Sequence, residues 1–165
     1  MLTRRDVIRG GAVVVMGAAL AKFLPLRSQA ASQQGPFEVQ YSEAKWRQLL
    51  TPAQFEVLRA QGTERAFSSP LDKSFASGTY LCAGCDLAVF SSTTKFDSGT
   101  GWPSFWAPIE GNVGRSADQS WGMTVTEVHC RRCGGHLGHV FEDGPPPTGL
   151  RYCINGVALK FVPQA

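Results

Sequence analysis

The chain has 165 residues, the length of one domain, and about 130 would remain if a targeting segment were removed. A domain of that size can bury a core without disulfide bonds. The net charge of +3 arises in the first 30 residues, which hold five basic residues and one acid; beyond them, 11 basic residues face 12 acidic ones. That balance gives no basic face, so we expect no nucleic-acid partner.

Residues 1–30 have the composition of an export signal. Arg4 and Arg5 precede an apolar run from Gly10 to Leu24, and small residues follow it. The arginine pair resembles twin-arginine signals, which carry folded proteins across a bacterial inner membrane. We therefore expect an exported, periplasmic protein. An uncleaved signal-anchor is the alternative, although Lys22 limits the unbroken apolar stretch to 12 residues, too few to span about 30 Å of hydrocarbon.

A linker over residues 31–40 and two short helices are predicted next. Ser42 is suited to cap a helix over 43–50. Thr51 followed by Pro52 is suited to start a second helix, which Gly62 would end. The apolar residues recur at helical spacing, so both helices should pack on the domain that we place at residues 41–163.

Short strands separated by Gly and Pro are predicted beyond Gly78. Alternating or apolar stretches occupy 79–81, 87–91, 121–128 and 158–162. We predict a mainly β (α+β) fold, in which the N-terminal pair of helices packs on a small antiparallel β domain.

Four of the five cysteines form two C-x-x-C pairs, Cys82 with Cys85 and Cys130 with Cys133. Paired thiolates at this spacing are typical of a closed, tetrahedral and therefore structural zinc site, with one Zn²⁺ per chain. The alternative is a pair of disulfides, as exported proteins often carry. His129, next to the second pair, is interpreted as a strand residue and not a ligand.

Cys153 is the cysteine left without a partner. In a strand, Arg151, Cys153 and Asn155 would share one face, and a hairpin turned at 144–149 would bring His136 and His139 close. A thiol beside cationic or imidazole groups has a lowered pKa and is a usable nucleophile. The alternative is an inert buried cysteine, which is common in protein cores.

A glycine turn followed by aromatic residues lies at 97–106, with the sequence DSGTGWPSFW. Aromatic side chains on such a loop either fill the core or form the wall of an apolar pocket. Both interpretations remain open from the sequence.

Taken together, GTGWPSF (99–105), HLGHVF (136–141), RYCIN (151–155) and the two C-x-x-C pairs resemble the peptide-methionine (R)-S-oxide reductase family over about residues 40–163. The resemblance implies two antiparallel sheets with a zinc site distant from the active site. It also implies an oxidoreductase that reduces methionine (R)-S-oxide in peptides or proteins.

The resemblance further implies residue roles. Cys153 would attack the sulfoxide and become a sulfenic acid, His136 and His139 would supply or relay a proton, and Asn155 would help position oxygen or water. Substrate contacts are implied for three residues: Trp102, which would line the pocket for the ε-methyl group, Arg151, which would favour the thiolate, and Phe141.

The sequence departs from a common family pattern at Thr100, where many members carry a second, resolving cysteine. Regeneration would therefore need an external thiol, from a thioredoxin-like partner. Gly156 also stands where Ser is frequent. We expect a monomer. Two other functions were weighed: a zinc-stapled binding module without catalysis, and a Cys–His hydrolase, which would need an oxyanion hole and an oriented base.

Overall fold

The computed structural model describes residues 37–119, 122 and 124–164. The proposed export signal and the first part of the linker lie outside these residues. The rest of the linker, 37–40, forms no helix or strand but contacts the domain: the backbone N–H of Val39 donates to the carbonyl of Arg132 over 3.0 Å, and Phe37 packs edge-on against His129. Nowhere in the described ranges is a helix both long and apolar enough to cross a membrane.

Both predicted helices are confirmed, as α1 (Glu43–Leu49) and α2 (Pro52–Ala60). The Ser42 hydroxyl accepts the backbone N–H of Lys45, and Thr51 forms a reciprocal capping box with Gln54. The end of α2 differs slightly from the prediction, because Gln61 and not Gly62 adopts the left-handed conformation, with φ of 57°.

The described residues contain nine strands in two sheets. The strands are β1 (Gly78–Cys82), β2 (Ala88–Ser91), β3 (Lys95–Phe96), β4 (Ser104–Phe105), β5 (Val113–Asp118), β6 (Val125–Cys130), β7 (His136–Phe141), β8 (Arg151–Ile154) and β9 (Leu159–Pro163). One sheet has the order β2-β1-β9 and the other β3-β4-β8-β7-β6-β5, with every neighbouring pair antiparallel. The mainly β fold with two antiparallel sheets is therefore confirmed. The strand predicted at 121–128 begins only at Val125; Trp121 and Met123 lie outside the described residues.

Four buried aromatic side chains join the two sheets. Phe90 of the small sheet stacks on Phe105 of the large sheet with ring centroids 4.4 Å apart, and Tyr80 meets Phe105 edge-on at 5.0 Å. Phe90 also contacts Tyr152 on β8, next to Cys153. Since large buried aromatic residues dominate core energetics, this cluster holds β8 firmly in place.

An irregularity between β6 and β7 determines where the histidines point. Val128 pairs with Gly138, but His129 pairs with His136, so Leu137 is an extra residue in β7. In a regular strand His136 and His139 would face opposite sides of the sheet. The bulge brings them together instead, with ring centroids 5.3 Å apart.

Candidate active site

The four paired cysteines form one cluster, in which Cys82, Cys130 and Cys133 are buried and Cys85 is partly buried. Their Sγ atoms all lie within 4.8 Å of one another, with 3.7 Å between Cys82 and Cys133 and 3.5 Å between Cys85 and Cys130. A tetrahedron with zinc–sulfur bonds of about 2.3 Å has sulfurs roughly 3.8 Å apart, which these distances match. The cluster therefore fits a structural Zn²⁺, and it leaves no position open for substrate.

The disulfide alternative is not observed. All five cysteines lie in the described ranges, and none of them forms a disulfide bond. Within the cluster, hydrogen bonding to Cys133 lowers the pKa of Cys130, whereas hydrogen bonding to Cys130 raises the pKa of Cys82. Four thiols this close cannot all ionise unless a cation offsets their charge, which is what zinc supplies. His129 lies in β6 and is not one of the clustered ligands, as predicted.

A second centre surrounds Cys153, at a cavity of about 280 Å³. The cavity is lined by Thr63, Trp102, Val125, Gly138, His139, Phe141, Cys153 and Asn155. Five residues named from the sequence thus come together at one opening. The other two residues do not line the cavity but contact residues that do: His136 contacts the His139 ring, and Arg151 lies over the Phe141 ring.

Cys153 lies in β8 between two neighbouring strands. His139 of β7 is its partner on one side, and Ser104 of β4 is its partner on the other. The Thr100 hydroxyl oxygen is 3.9 Å from the Cys153 sulfur. The predicted hairpin is therefore confirmed for His139, whereas His136 has no partner in β8 and contacts the His139 ring instead.

The expected lowering of the Cys153 pKa is wrong. Burial raises the pKa of the thiol above its ordinary value, and the opposing effects of the Thr100 hydrogen bond and the Arg151 charge do not cancel that rise. The resting side chain is a partly exposed thiol whose conversion to thiolate needs help from the groups around it.

Arg151 does not line the cavity. Its guanidinium donates to both carboxylate oxygens of Asp143, at 2.9 and 2.8 Å, and lies 4.5 Å from the centre of the Phe141 ring. The stacked arginine braces Phe141, which does line the cavity, and its charge still acts on Cys153.

Asn155 follows the end of β8, so the face that it was predicted to share with Arg151 and Cys153 is only partly formed. Its Oδ1 accepts the backbone N–H of Glu64 over 2.9 Å, and its Nδ2 donates to the carbonyl of Leu137 over 3.0 Å. The amide is thus held rigidly at the cavity wall.

His136 and His139 are each held by a carboxylate. His139 Nε2 lies 2.8 Å from Asp118 Oδ2, and His136 Nδ1 lies 2.8 Å from Glu127 Oε1. A carboxylate can only accept, so these nitrogens carry the protons. The remaining ring nitrogen of His136, Nε2, is buried and has no hydrogen-bond partner among the described residues.

Glu127 is a buried carboxylate whose charge is well compensated. Burial acts to raise its pKa, but hydrogen bonds from His136 and Ser116, together with one from Gln61, lower it to about 2. An ionised Glu127 fixes the ring orientation and tautomer of His136.

The glycine turn at 97–106 serves both purposes considered from the sequence. Phe105 fills the core, with no exposed surface, whereas Trp102 lines the cavity. The indole N–H of Trp102 donates to the carbonyl of Glu64 over 3.1 Å.

Sequence reasoning missed Thr63, Glu64, Asp118 and Glu127. The one available signal was Glu127, an acid next to Val128 within a predicted half-buried strand, where a charge must have a partner. Nothing in the local pattern distinguishes the other three from surface residues.

A free thiol facing histidines across an apolar cavity, on a β fold with a closed tetrathiolate site, defines a thiol-dependent, zinc-containing enzyme. Comparison with known proteins gives the family. The SelR domain model matches residues 50–163. The chain is 55% identical over 126 residues to "Peptide methionine sulfoxide reductase MsrB" of Leptospira interrogans, covering 76% of this chain and 96% of that protein.

Two further relatives carry the same name. The one from Agrobacterium fabrum is 54% identical over 127 residues, covering 76% of this chain and 94% of its own length. The one from Pseudomonas putida is 56% identical over 121 residues, covering 73% and 91%. The chain belongs to the MsrB family of peptide methionine sulfoxide reductases, and it is an oxidoreductase that reduces methionine sulfoxide.

Proposed function

We propose that the protein reduces the R epimer of methionine sulfoxide in peptides or proteins through a sulfenic acid on Cys153, and that an external thiol regenerates the enzyme. The single observation that carries this proposal is the pairing of Cys153 with His139 across β7 and β8, at an apolar cavity walled by Trp102. A nucleophile, a proton donor and an apolar surface are thereby within reach of one sulfoxide group.

In the proposed reaction the Cys153 sulfur attacks the sulfoxide sulfur while the sulfoxide oxygen takes up a proton. The sulfur–sulfur bond formed by this attack and the sulfur–oxygen bond of the substrate both break as the oxygen passes to Cys153, which becomes a sulfenic acid. The substrate sulfur gains two electrons and leaves as methionine, and Cys153 loses the same two. A thiol and a sulfoxide thus give a thioether and a sulfenic acid.

Two histidines with carboxylate partners support the proton transfer. His139 lines the cavity, and its Nε2–H is directed to Asp118; we therefore propose that its Nδ1 takes up the proton of the Cys153 thiol and donates it to the sulfoxide oxygen. His136 lies edge-on to His139 and is hydrogen-bonded to Glu127. We therefore assign His136 the role of relaying protons to His139. Protonating the oxygen increases the electrophilicity of the sulfur, so even a thiol with a raised pKa can react.

The proposed preference for the R epimer rests on the fixed arrangement of the cavity. Trp102 and Phe141 give the ε-methyl group an apolar surface, and His139 gives the oxygen a donor. With the oxygen at His139, the methyl group at the aromatic wall and the peptide chain leaving through the opening of the cavity, only one configuration at sulfur fits. Asn155 lines the same cavity and would orient the oxygen or the water formed later.

Thr100 supports the proposal of external recycling. It occupies the position facing Cys153 where a resolving thiol could act, and the other four cysteines belong to the zinc cluster. An incoming thiolate would attack the sulfenic acid, releasing water and leaving a mixed disulfide with Cys153. A second thiol would then release the enzyme.

We also propose that residues 1–30 direct export, so the reductant would be a thioredoxin-like domain kept reduced outside the cytoplasm, and that the enzyme acts as a monomer. The composition of that segment supports export.

A stereospecific assay tests the proposed activity. Peptides carrying the R or the S epimer are incubated with the protein and dithiothreitol, and methionine is quantified. We expect turnover of the R epimer and none with Cys153→Ser. Turnover of the S epimer alone would refute the stereochemical proposal, and full function in Cys153→Ser would favour a binding module. Hydrolysis of esters or amides in place of reduction would favour a Cys–His hydrolase.

A further inference from the structure

Glu64, in the connection between α2 and β1, makes four hydrogen bonds around the catalytic cavity. Its backbone N–H donates to Asn155 Oδ1 over 2.9 Å, and its carbonyl accepts the Trp102 indole N–H over 3.1 Å. Its two carboxylate oxygens accept the backbone N–H groups of Gly156 and Val157, at 2.6 and 2.9 Å. One residue therefore holds the aromatic wall, the amide wall and the chain that follows the nucleophile.

The carboxylate performs a task that usually falls to the residue at the start of a helix. Asn155 precedes the short 3-10 helix Gly156–Ala158, but its side chain makes no capping hydrogen bond. The Glu64 carboxylate accepts the first two N–H groups of that helix instead, with hydrogen bonds strengthened by its charge. The Asn155 amide is thereby left to the cavity wall, bonded to Glu64 and Leu137.

Gly156 leaves room for the Ser69 side chain beside the Glu64 carboxylate. A Cβ at this position would collide with the Ser69 side chain and would lie 3.3 Å from Glu64 Oε1. Glycine, which stands here where serine is frequent, thus allows the Ser69 and Glu64 side chains to pack against this part of the chain.

We propose that Glu64 is a positioning residue that sets the geometry of substrate binding by holding Trp102 and Asn155 relative to Cys153. The hydrogen bonds to Asn155 and Trp102 use the Glu64 backbone, and the carboxylate fixes that backbone in place through Gly156 and Val157. Loss of the carboxylate should let both cavity walls shift without touching the sulfur or the histidines, so it should weaken substrate binding more than it slows sulfur chemistry. This inference rests on the proposed function, because it assigns Trp102 and Asn155 to the bound sulfoxide.

The test is single-turnover reduction of an R-sulfoxide peptide without reductant, so that recycling does not enter the measured rate. Methionine formation is followed against peptide concentration for the wild type, Glu64→Ala and Glu64→Gln. We expect Glu64→Ala to raise the half-saturating concentration about 10- to 100-fold, since misplaced binding groups have effects of that size, with the maximal rate changed less than about threefold. Glu64→Gln keeps one acceptor and should show an intermediate increase.

Glu56→Gln is the matched control. A second cavity, separate from the catalytic one, is lined by both Glu56 and Glu64. The Glu56 carboxylate is exposed and makes no hydrogen bond within the described ranges. It should leave both kinetic parameters unchanged. The zinc content of each variant reports whether the fold is intact, and Glu64→Gln serves for the kinetics if Glu64→Ala does not fold.

A second measurement does not depend on activity. The indole N–H signal of Trp102, assigned by its loss in Trp102→Phe, should exchange slowly with solvent in the wild type and faster in Glu64→Ala, while signals from the core stay protected. A lower maximal rate with an unchanged half-saturating concentration and a protected indole would overturn the proposal, as would kinetics within twofold of the wild type. A wild type inactive on R-sulfoxide would instead refute the proposed function, and the indole signal would still decide whether Glu64 holds Trp102.

Discussion

Replacing Glu127 by Gln tests whether a buried, ionised carboxylate holds the inner histidine. Glu127 is 4% exposed and accepts hydrogen bonds from three side chains, His136, Ser116 and Gln61. Gln has nearly the same shape but no charge, and it exchanges one acceptor oxygen for a donor. The substitution thus removes the charge and part of the network while it leaves the packing intact.

The pKa of Glu127 predicts how much the substitution should lower the free energy of unfolding and how that loss should depend on pH. Its fall from the ordinary 4.5 to about 2 corresponds to roughly 3 kcal/mol, and since His136 shares the interaction, we expect about 2 kcal/mol to be attributable to Glu127. Because the folded pKa lies below the unfolded one, the stabilisation is fully present above pH 4.5 and is lost as the pH falls towards 2. The free energy of unfolding of the wild type should therefore exceed that of the variant near neutral pH, and the difference should shrink in acid.

The assay is urea-induced unfolding of both proteins from about pH 6 to about pH 3, the range in which this linkage acts. Release of zinc in acid affects both proteins, so the difference between them isolates Glu127. Glu110→Gln, at an exposed acid without a side-chain partner in the described part of the chain, is the control and should behave as the wild type. A difference between wild type and Glu127→Gln that stays constant over this range would refute the assignment of an ionised Glu127 paired with His136.

Four other outcomes are expected. Cys130→Ser should abolish zinc binding together with folded protein, because a closed tetrathiolate site contributes folding free energy directly; zinc-free yet active wild type would contradict this. One turnover without reductant should consume a single thiol and leave a dimedone adduct on Cys153, and mass spectrometry that finds Cys153 joined to a zinc cysteine in metal-loaded protein would contradict it. Thr100→Cys should convert that product into an internal disulfide, since the two side chains are already in contact, and should speed recycling by thioredoxin; an unchanged dimedone adduct would count against it. Alkylation of Cys153 by iodoacetamide should accelerate as the pH rises through and beyond 9.0, because burial raises the pKa of this thiol; a rate that is already maximal at neutral pH would show the opposite shift.

The sequence alone determined the features that depend on local spacing. Two C-x-x-C turns predicted the zinc cluster because each turn presents two thiolates on one side, and the structure brings all four together. The capping residues Ser42 and Thr51 predicted the helix starts, because a side-chain oxygen satisfies the first free N–H groups. The hairpin that places Cys153 beside His139 also followed from chain spacing and the turn between the strands.

Tertiary structure decided the features that depend on contacts between distant segments. His136 and His139 share a side only because the bulge at Leu137 shifts the register of β7 against β6, and no local pattern reports which strand will pair there. The raised pKa of Cys153 has the same origin. The sequence shows its charged neighbours but not its burial, and burial outweighs the favourable charge of Arg151.

The hydrogen-bond partners of the active-site residues are the features that the sequence predicts least. Glu64 is 91 residues from Asn155 and 38 from Trp102, and Glu127 meets Gln61 across 66 residues. In the sequence, the Glu64 carboxylate looks like any solvated acid until the fold brings a donor to each of its oxygens. Only the packing of the α2–β1 connection against the end of β8 supplies those donors, because hydrogen bonds of this kind form between surfaces that are distant in the chain.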